Sequence, residues 1–277
     1  MKPSPFEYSR PATIAEAVDL LVEGADEGAL AICGGQSLLI MMALRITMTS
    51  KIVDISRLEE LRKVEQNRDT TLIGAAITHA EIEDGKIPDP LLGLMPRIAS
   101  KIAYRAVRNR GTIGGSMALA DPSADWPACL LALDAEAVIA GPHGERHERI
   151  EDLLQGPYQT TLDVGEIITG FKIGNKDARW GTSKVSRKSG AFADSIAVFV
   201  DSSSVSPPRL ALTGTTSHAR LLPKVGAYAA ENRIVDPKEL RAAALEDLAD
   251  IDPAATPYQI RCHVATVTRA IAEARGK

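Results

Sequence analysis

The sequence predicts an α+β protein in three parts. Residues 1–56 hold a β–α–β unit of about thirty residues, enough for a small first lobe. The last hundred residues place three strand-like runs ahead of three helical ones, the order of a compact α+β domain. No G-x-G-x-x-G followed about twenty positions later by an acidic residue is present, so the fold is not a Rossmann fold.

In the first lobe, Thr13 and Glu16 have capping-box spacing, with the Thr hydroxyl placed to accept the N3 amide and Glu16 to reach back. The helix they open is expected to bury Ala17, Leu20 and Leu21 and to end near Gly24. Strand Ala29–Cys33, a glycine turn, an apolar helix from Leu38 to Leu44 and strand Lys51–Ile55 complete the lobe. A second part, 57–176, begins with strands Leu61–Glu65 and Thr71–Ala75. A second capping box, Thr78–Glu81, follows, and then a helix over Leu91–Val107. Trp126–Leu133 reads as helix, Glu136–Ala140 as strand, Pro142–Glu145 as a hairpin turn and Glu166–Ile173 as strand. Polar GNKDAR at 174–179 marks the boundary to a third part, 177–277. There Trp180–Ser186, Ser195–Asp201 and Arg209–Thr215 form three antiparallel strands, with SSSVSPP as a loop. Helices Leu222–Glu231, Pro237–Asp247 and Pro257–Arg275 come last.

The bulk numbers narrow the function. A net charge of −4 with no basic run, and 4% aromatic residues, argue against nucleic acid as a partner. No run approaches the length of a transmembrane helix. The opening MKPSPFEYSRP shows neither an apolar signal core nor twin arginines, which predicts a cytoplasmic chain. Cys33, Cys129 and Cys262 lie far apart without a CxxC, and the five histidines lack metal-ligand spacing, so no zinc or iron–sulfur site of its own is expected.

One stretch organises the rest. Residues 108–127, RNRGTIGGSMALADPSADWP, carry Gly111, Gly114 and Gly115 between two arginines and two aspartates. Paired glycines let the chain take positive φ and bring bare N–H groups to a ligand, and N–H groups turned one way suit an anion. An ordinary tight turn is the plain alternative. Residues 30–38, LAICGGQSL, repeat the idea at Gly34-Gly35, with Ser37 placed to cap the next helix. Two cradles about eighty residues apart predict a ligand with two linked phosphates, as in a pyrophosphate dinucleotide.

Together with SKVSRKSGAFA at 183–193, these stretches resemble, in order and spacing, the signature stretches of one family. It is the FAD-binding, or medium, subunit of molybdenum hydroxylases, the flavoproteins of carbon monoxide and xanthine dehydrogenases. The resemblance covers nearly the whole chain. It implies the two-lobed FAD-binding fold of the vanillyl-alcohol oxidase and cell-wall reductase type, followed by a C-terminal three-stranded antiparallel sheet with helices.

By the same resemblance, Ile32, Cys33, Gly34, Gly35, Gln36, Ser37 and Leu38 in one turn, and Thr112, Ile113, Gly114, Gly115 and Ser116 in the other, hold the FAD pyrophosphate. Asp125 matches an acidic contact to ribose or ribityl hydroxyls; capping the helix 126–133 is its alternative. Ile168, and more weakly Ile102, match positions lining the flavin, and both also read as core. Lys184 matches a lysine that favours negative charge on the reduced flavin, or else is an exposed edge-strand lysine. Phe192 corresponds to an aromatic near the ring or to a core residue, and Ala191 replaces a usual acid. Arg108 and Arg110 support the pyrophosphate or a subunit interface, or are surface arginines. No residue of the chain is expected to be catalytic or to bind metal.

The function implied is electron transfer. Electrons from 2Fe-2S clusters on a small partner subunit reach this FAD and pass to an external acceptor. A large molybdopterin subunit does the hydroxylation, in a dimer of heterotrimers. A free-standing FAD-dependent oxidase or reductase, and a non-catalytic nucleotide-binding module, are the alternatives.

Overall fold

Three sheets set the architecture of the computed structural model, which describes residues 2–175, 177–202 and 205–276. Lys176 of the boundary stretch, and Ser203 and Ser204 of SSSVSPP, lie outside the described residues.

In the first lobe, β1 (Glu7–Ser9), α1 (Ile14–Glu23), β2 (Leu30–Ile32), α2 (Leu38–Ala43) and β3 (Lys51–Asp54) give a parallel sheet in the order β1–β3–β2. Thr13 caps α1 by accepting the Glu16 amide at 3.2 Å. The Glu16 carboxylate, however, accepts from Ala12 at 2.6 Å rather than from Thr13, so the box is shifted by one residue. Ala17, Val18 and Leu21 are buried, and Leu20 is only half-buried.

The second sheet is antiparallel and five-stranded. Its elements in chain order are β4 (Val64–Gln66), β5 (Thr70–Gly74), α3 (His79–Glu83), α4 (Leu94–Ala99), α5 (Arg105–Arg108), α6 (Ile113–Leu119), α7 (Asp125–Ala132), β6 (Glu136–Gly141) and β7 (Gly144–Arg149). After them come α8 (Ile150–Leu153), a hairpin of β8 (Leu154–Gly156) with β9 (Gln159–Thr160), and β10 (Ile167–Gly174). The strands run in the order β4–β5–β10–β6–β7. The Thr78–Glu81 capping box is complete.

Two expectations change here. Glu59–Arg62 form a 3-10 turn that sinks Leu61 into the core, so the strand starts only at Val64. The single helix over 91–107 is instead α4 and α5. Ala103 takes a φ of 40° between them. The broken turn's carbonyls, Ile102 at 2.8 Å and Ala103 at 3.0 Å, accept from the Arg108 guanidinium.

The third sheet holds β11 (Ala178–Val185), β12 (Ser195–Ser202), β13 (Val205–Thr213) and a short β14 (Arg220–Leu221), antiparallel in that order. It therefore has four strands where three are expected. Pro207 and Pro208 belong to β13 rather than to a loop, and a register shift opposite Val200–Ser202 accommodates residues without an N–H. Helices α9 (Pro223–Glu231), α10 (Pro237–Ile251) and α11 (Pro257–Ala274) follow. The side chains of β12 alternate: Ile196, Val198 and Val200 join a core with Trp126 and Ile113, while Ala197 and Phe199 join one with Val225, Leu240 and Val267. One face thus seats the sheet on the second lobe and the other carries the helices. Among the described residues, no helix is long and apolar enough to cross a membrane.

Candidate functional site

The two glycine turns meet. A Cβ on Gly34 would stand 2.2 Å from the Arg110 carbonyl oxygen and 3.0 Å from the Gly111 Cα, so the turns pack backbone against backbone. Burial at this junction pushes the Cys33 thiol up in pKa. Glycine is needed at 34 because no side chain fits between the two strands of backbone.

Their donors differ. In the first turn Gly35 has a φ of 70° and Gln36 folds back, its amide donating to the Gly34 carbonyl at 3.2 Å. Among the described residues, the backbone N–H groups of Gly34, Gly35, Gln36 and Ser37 have no protein acceptor. Ser37 sits at the start of α2, but its hydroxyl makes no capping bond. This turn offers a row of unpaired donors beside half-buried Ile32 and Leu38, a fit for an anion.

The second turn is closed. Ile113 N–H donates to the Ile77 carbonyl at 3.1 Å, Gly114 N–H to the Ala75 carbonyl at 2.9 Å and Gly115 N–H to the Thr112 hydroxyl at 3.2 Å. Ile113 and Gly114 are buried. A Cβ on Gly114 would lie 2.5 Å from the Ala75 Cβ, so this glycine lets α6 sit on the end of β5. The Gly114 N–H is therefore engaged within the fold. Gly115 is exposed and Ser116 half-exposed, which leaves them as the open face of the turn.

His79 supports this turn from below. Its ring lies where a Cβ on Gly111 would be, 2.8 Å from Nε2, and the His79 backbone N–H donates to the Gly111 carbonyl at 2.9 Å. Trp126 Nε1 donates to its Nδ1 at 3.0 Å. Burial, aided by the Arg108 charge, pulls its pKa down to about 4, so the ring is neutral. Arg108 itself grips Glu83 through two bonds of 2.7 and 2.9 Å, which commits it to the fold rather than to a phosphate. The Arg110 side chain is exposed.

Farther along, the structure joins two candidates that the sequence treats apart. Lys184 Nζ donates to both Asp125 oxygens, at 2.9 and 3.0 Å, and to the Lys101 carbonyl at 3.1 Å. Neither end is exposed: side-chain accessibility is 12% for Lys184 and 8% for Asp125. Asp125 is the first residue of α7, whose cap is Ala124, so the N-cap alternative is excluded. Burial raises the Asp125 pKa against the pull of Lys184.

The pair borders a cleft of about 360 Å³ between α4, β11 and the loop after it. Arg97, Lys101, Ile98 and Ile196 line it, with hydroxyls from Thr182, Ser183, Ser186 and Ser189. Ser183, Ser186 and Ser189 belong to the 183–193 stretch already singled out, whereas Arg97 and Thr182 carry no motif and the sequence does not point to them. Ile168 is buried in strand β10 opposite Ile139, a core position, and Ile102 packs half-buried against the same core. Phe192 is 70% exposed on the loop, which removes its core reading.

Comparison with known proteins gives a consistent picture. Residues 4–175 match the family described as the FAD binding domain in molybdopterin dehydrogenase. The nicotine 6-hydroxylase medium subunit of Paenarthrobacter nicotinovorans is 33% identical over 259 residues, 91% of either chain. The carbon monoxide dehydrogenase medium chain of Hydrogenophaga pseudoflava is 36% identical over 225 residues, 79% of this chain and 78% of that one. Among solved structures, carbon monoxide dehydrogenase from Hydrogenophaga pseudoflava superposes with a TM-score of 0.91 at 32% identity, covering 100% of this chain and 99% of that one. Quinoline 2-oxidoreductase from Pseudomonas putida 86 gives a TM-score of 0.88 at 28% identity, with the same coverage.

Proposed function

Because this chain belongs to the FAD-binding domain family of molybdopterin dehydrogenases, and so to the oxidoreductase subunits of molybdenum hydroxylases, we propose that it is their electron-transfer subunit, working in the cytoplasm. It takes electrons from 2Fe-2S clusters of a small partner subunit and hands them to an external acceptor. The observation that carries the reading is the row of unpaired N–H donors at Gly34–Ser37, pressed against the second glycine turn.

In this reading the pyrophosphate lies on the donors of residues 34–37, between Ile32, Cys33 and Leu38 on one side and the open face of Gly115 and Ser116 on the other. Thr112 and Ile113 shape that face from beneath. Asp125 accepts a hydrogen bond from a cofactor hydroxyl, and Lys184 supplies positive charge toward the ring, near Ile102 and Ile168. FAD, when bound, accepts electrons singly and releases them as a pair. The chain's own task is to hold it, to set its potential through the Lys184–Asp125 pair and to keep one edge open. The division into 1–56, 57–176 and 177–277 is part of the proposal, supported by each main sheet drawing its strands from one stretch.

Partners complete it: a large molybdopterin subunit and the small iron–sulfur subunit, doubled into a dimer of heterotrimers. Leu39, Ile40, Leu44, Ile46 and Met48, all large and exposed, follow directly on the first turn. That apolar run supports a docking face for the cluster subunit beside the cofactor. Purification of the tagged chain from its native host tests the whole. Two co-purifying subunits and a yellow colour released by acid are expected. A colourless chain, or FMN in place of FAD, contradicts the cofactor assignment.

A further inference from the structure

A polar chain lies buried behind the cleft, in the third part of the molecule. His263 on α11, with no exposed surface, faces Ser195 at the start of β12 through Nδ1 at 2.8 Å. Ser195 Oγ meets Thr266 Oγ1 at 2.7 Å, and Thr266 Oγ1 meets the His263 carbonyl at 2.9 Å. On the other side, Nε2 faces Asp252 Oδ2 at 3.5 Å. Those two atoms are fully buried and, among the described residues, have no hydrogen-bond partner. The second Asp252 oxygen is occupied by the Thr216 backbone N–H and hydroxyl.

The protons can be counted. A carbonyl only accepts, so the Thr266 hydroxyl donates to it. Thr266 then accepts from Ser195, whose single proton is spent, and Ser195 must accept from Nδ1–H. A neutral imidazole has no second proton, so Nε2 would turn a lone pair toward the lone pairs of a buried carboxylate. Such an arrangement is costly in a dry interior. One more proton, on Nε2 or on Asp252, converts the contact into a hydrogen bond.

We propose that Asp252 and His263 hold one proton beyond the neutral imidazole and free carboxylate, and that His263, through Ser195, is a positioning residue for the cleft. Ser195 pairs with Val185, and the next pair in register is Lys184 with Ile196, both on the cleft wall. The proton thus pins the base of the loop 186–194, which lies between these strands. Facing His263, β12 offers Ser195 and α11 offers Thr266, both uncharged. Asp252, on the connection between α10 and α11, is the charged group acting on the ring. Burial, the larger effect, lowers the His263 pKa although Asp252 opposes it. The shared proton stands against that pull, on the count of donors and acceptors. Nearby Asp194 is turned to Tyr258.

Asp252→Asn tests the count, because its amide donates to Nε2 permanently while its oxygen still accepts from Thr216. The native parent keeps a proton that the unfolded chain releases above about pH 6.5, so its stability falls as pH rises. The ratio of unfolding constants, parent over variant, is expected to climb roughly tenfold per pH unit from there. A ratio constant between about pH 6 and 9 would overturn the shared proton. Should the variant not fold, long-range proton–nitrogen spectra of the parent at about pH 8 decide. A ring protonated on both nitrogens, or Nδ1–H beside a protonated Asp252 carboxyl, supports the count, and a ring with a single proton beside an ionised carboxylate overturns it. FAD release should quicken with pH in the parent and not in the variant; release independent of pH in both overturns the positioning role. That arm rests on the proposed function. A chain that binds no FAD sinks the proposed function and the positioning role, and the unfolding ratio still decides the proton.

Discussion

The two glycine turns look alike in sequence and are opposite in use. At Gly34–Ser37 the donors are unpaired, while at Ile113–Gly115 all three are spent on Ile77, Ala75 and Thr112. A double glycine can therefore serve a ligand or serve packing. The distinction depends on which backbone stands opposite: Ala75 is thirty-nine positions from Gly114 in the chain. In the proposed function the first turn is the site and the second is the wall that shapes it.

The sharpest way to break this contrast is Gly114→Val. Its Cβ would meet the Ala75 Cβ at 2.5 Å and the Ala75 carbonyl oxygen at 2.7 Å, and neither can withdraw. We expect a loss of about 3 kcal/mol or more, read as a fall in the denaturant midpoint with or without FAD. An unchanged midpoint with FAD lost would mean that the second turn is as open as the first.

Acid probes the same wall through His79. Its pKa is about 4 when folded against about 6.5 when unfolded, so the unfolded chain binds the extra proton between those values. Stability is therefore full above about pH 6.5 and lost as pH falls, by about 3 kcal/mol at pH 4. His79→Gln should flatten that slope. Identical slopes in parent and variant would show that the ring charges without cost.

Lys184→Met asks whether the open part of the second stretch is at Asp125. Left unpaired and nearly buried, Asp125 should cost about 2 kcal/mol or take up a proton. FAD should stay bound at a lower midpoint potential, since a nearby positive charge is gone. A potentiometric titration superimposable on that of the parent would remove Lys184 from the site.

What the sequence showed, and what it hid, follows from the same geometry. The α+β order of elements, the parallel first sheet and the Thr78 capping box are local patterns and were legible. So were both glycine turns, Asp125 and Lys184 as single positions. Their pairing was not, because β11 and α7 meet only after the third sheet docks. Nor was the break in the helix over 91–107, where Arg108 turns back to satisfy the carbonyls of Ile102 and Ala103. The Asp252–His263–Ser195 chain has no spacing at all, being assembled from three elements.

Amide hydrogen exchange on the full chain, with and without added FAD, measures the central claim directly. The account predicts fast exchange at Gly34, Gly35, Gln36 and Ser37 without FAD and strong protection with it, while Ile113, Gly114 and Gly115 are slow in both. Protection by FAD at residues 113–115 with none at 34–37 would contradict it.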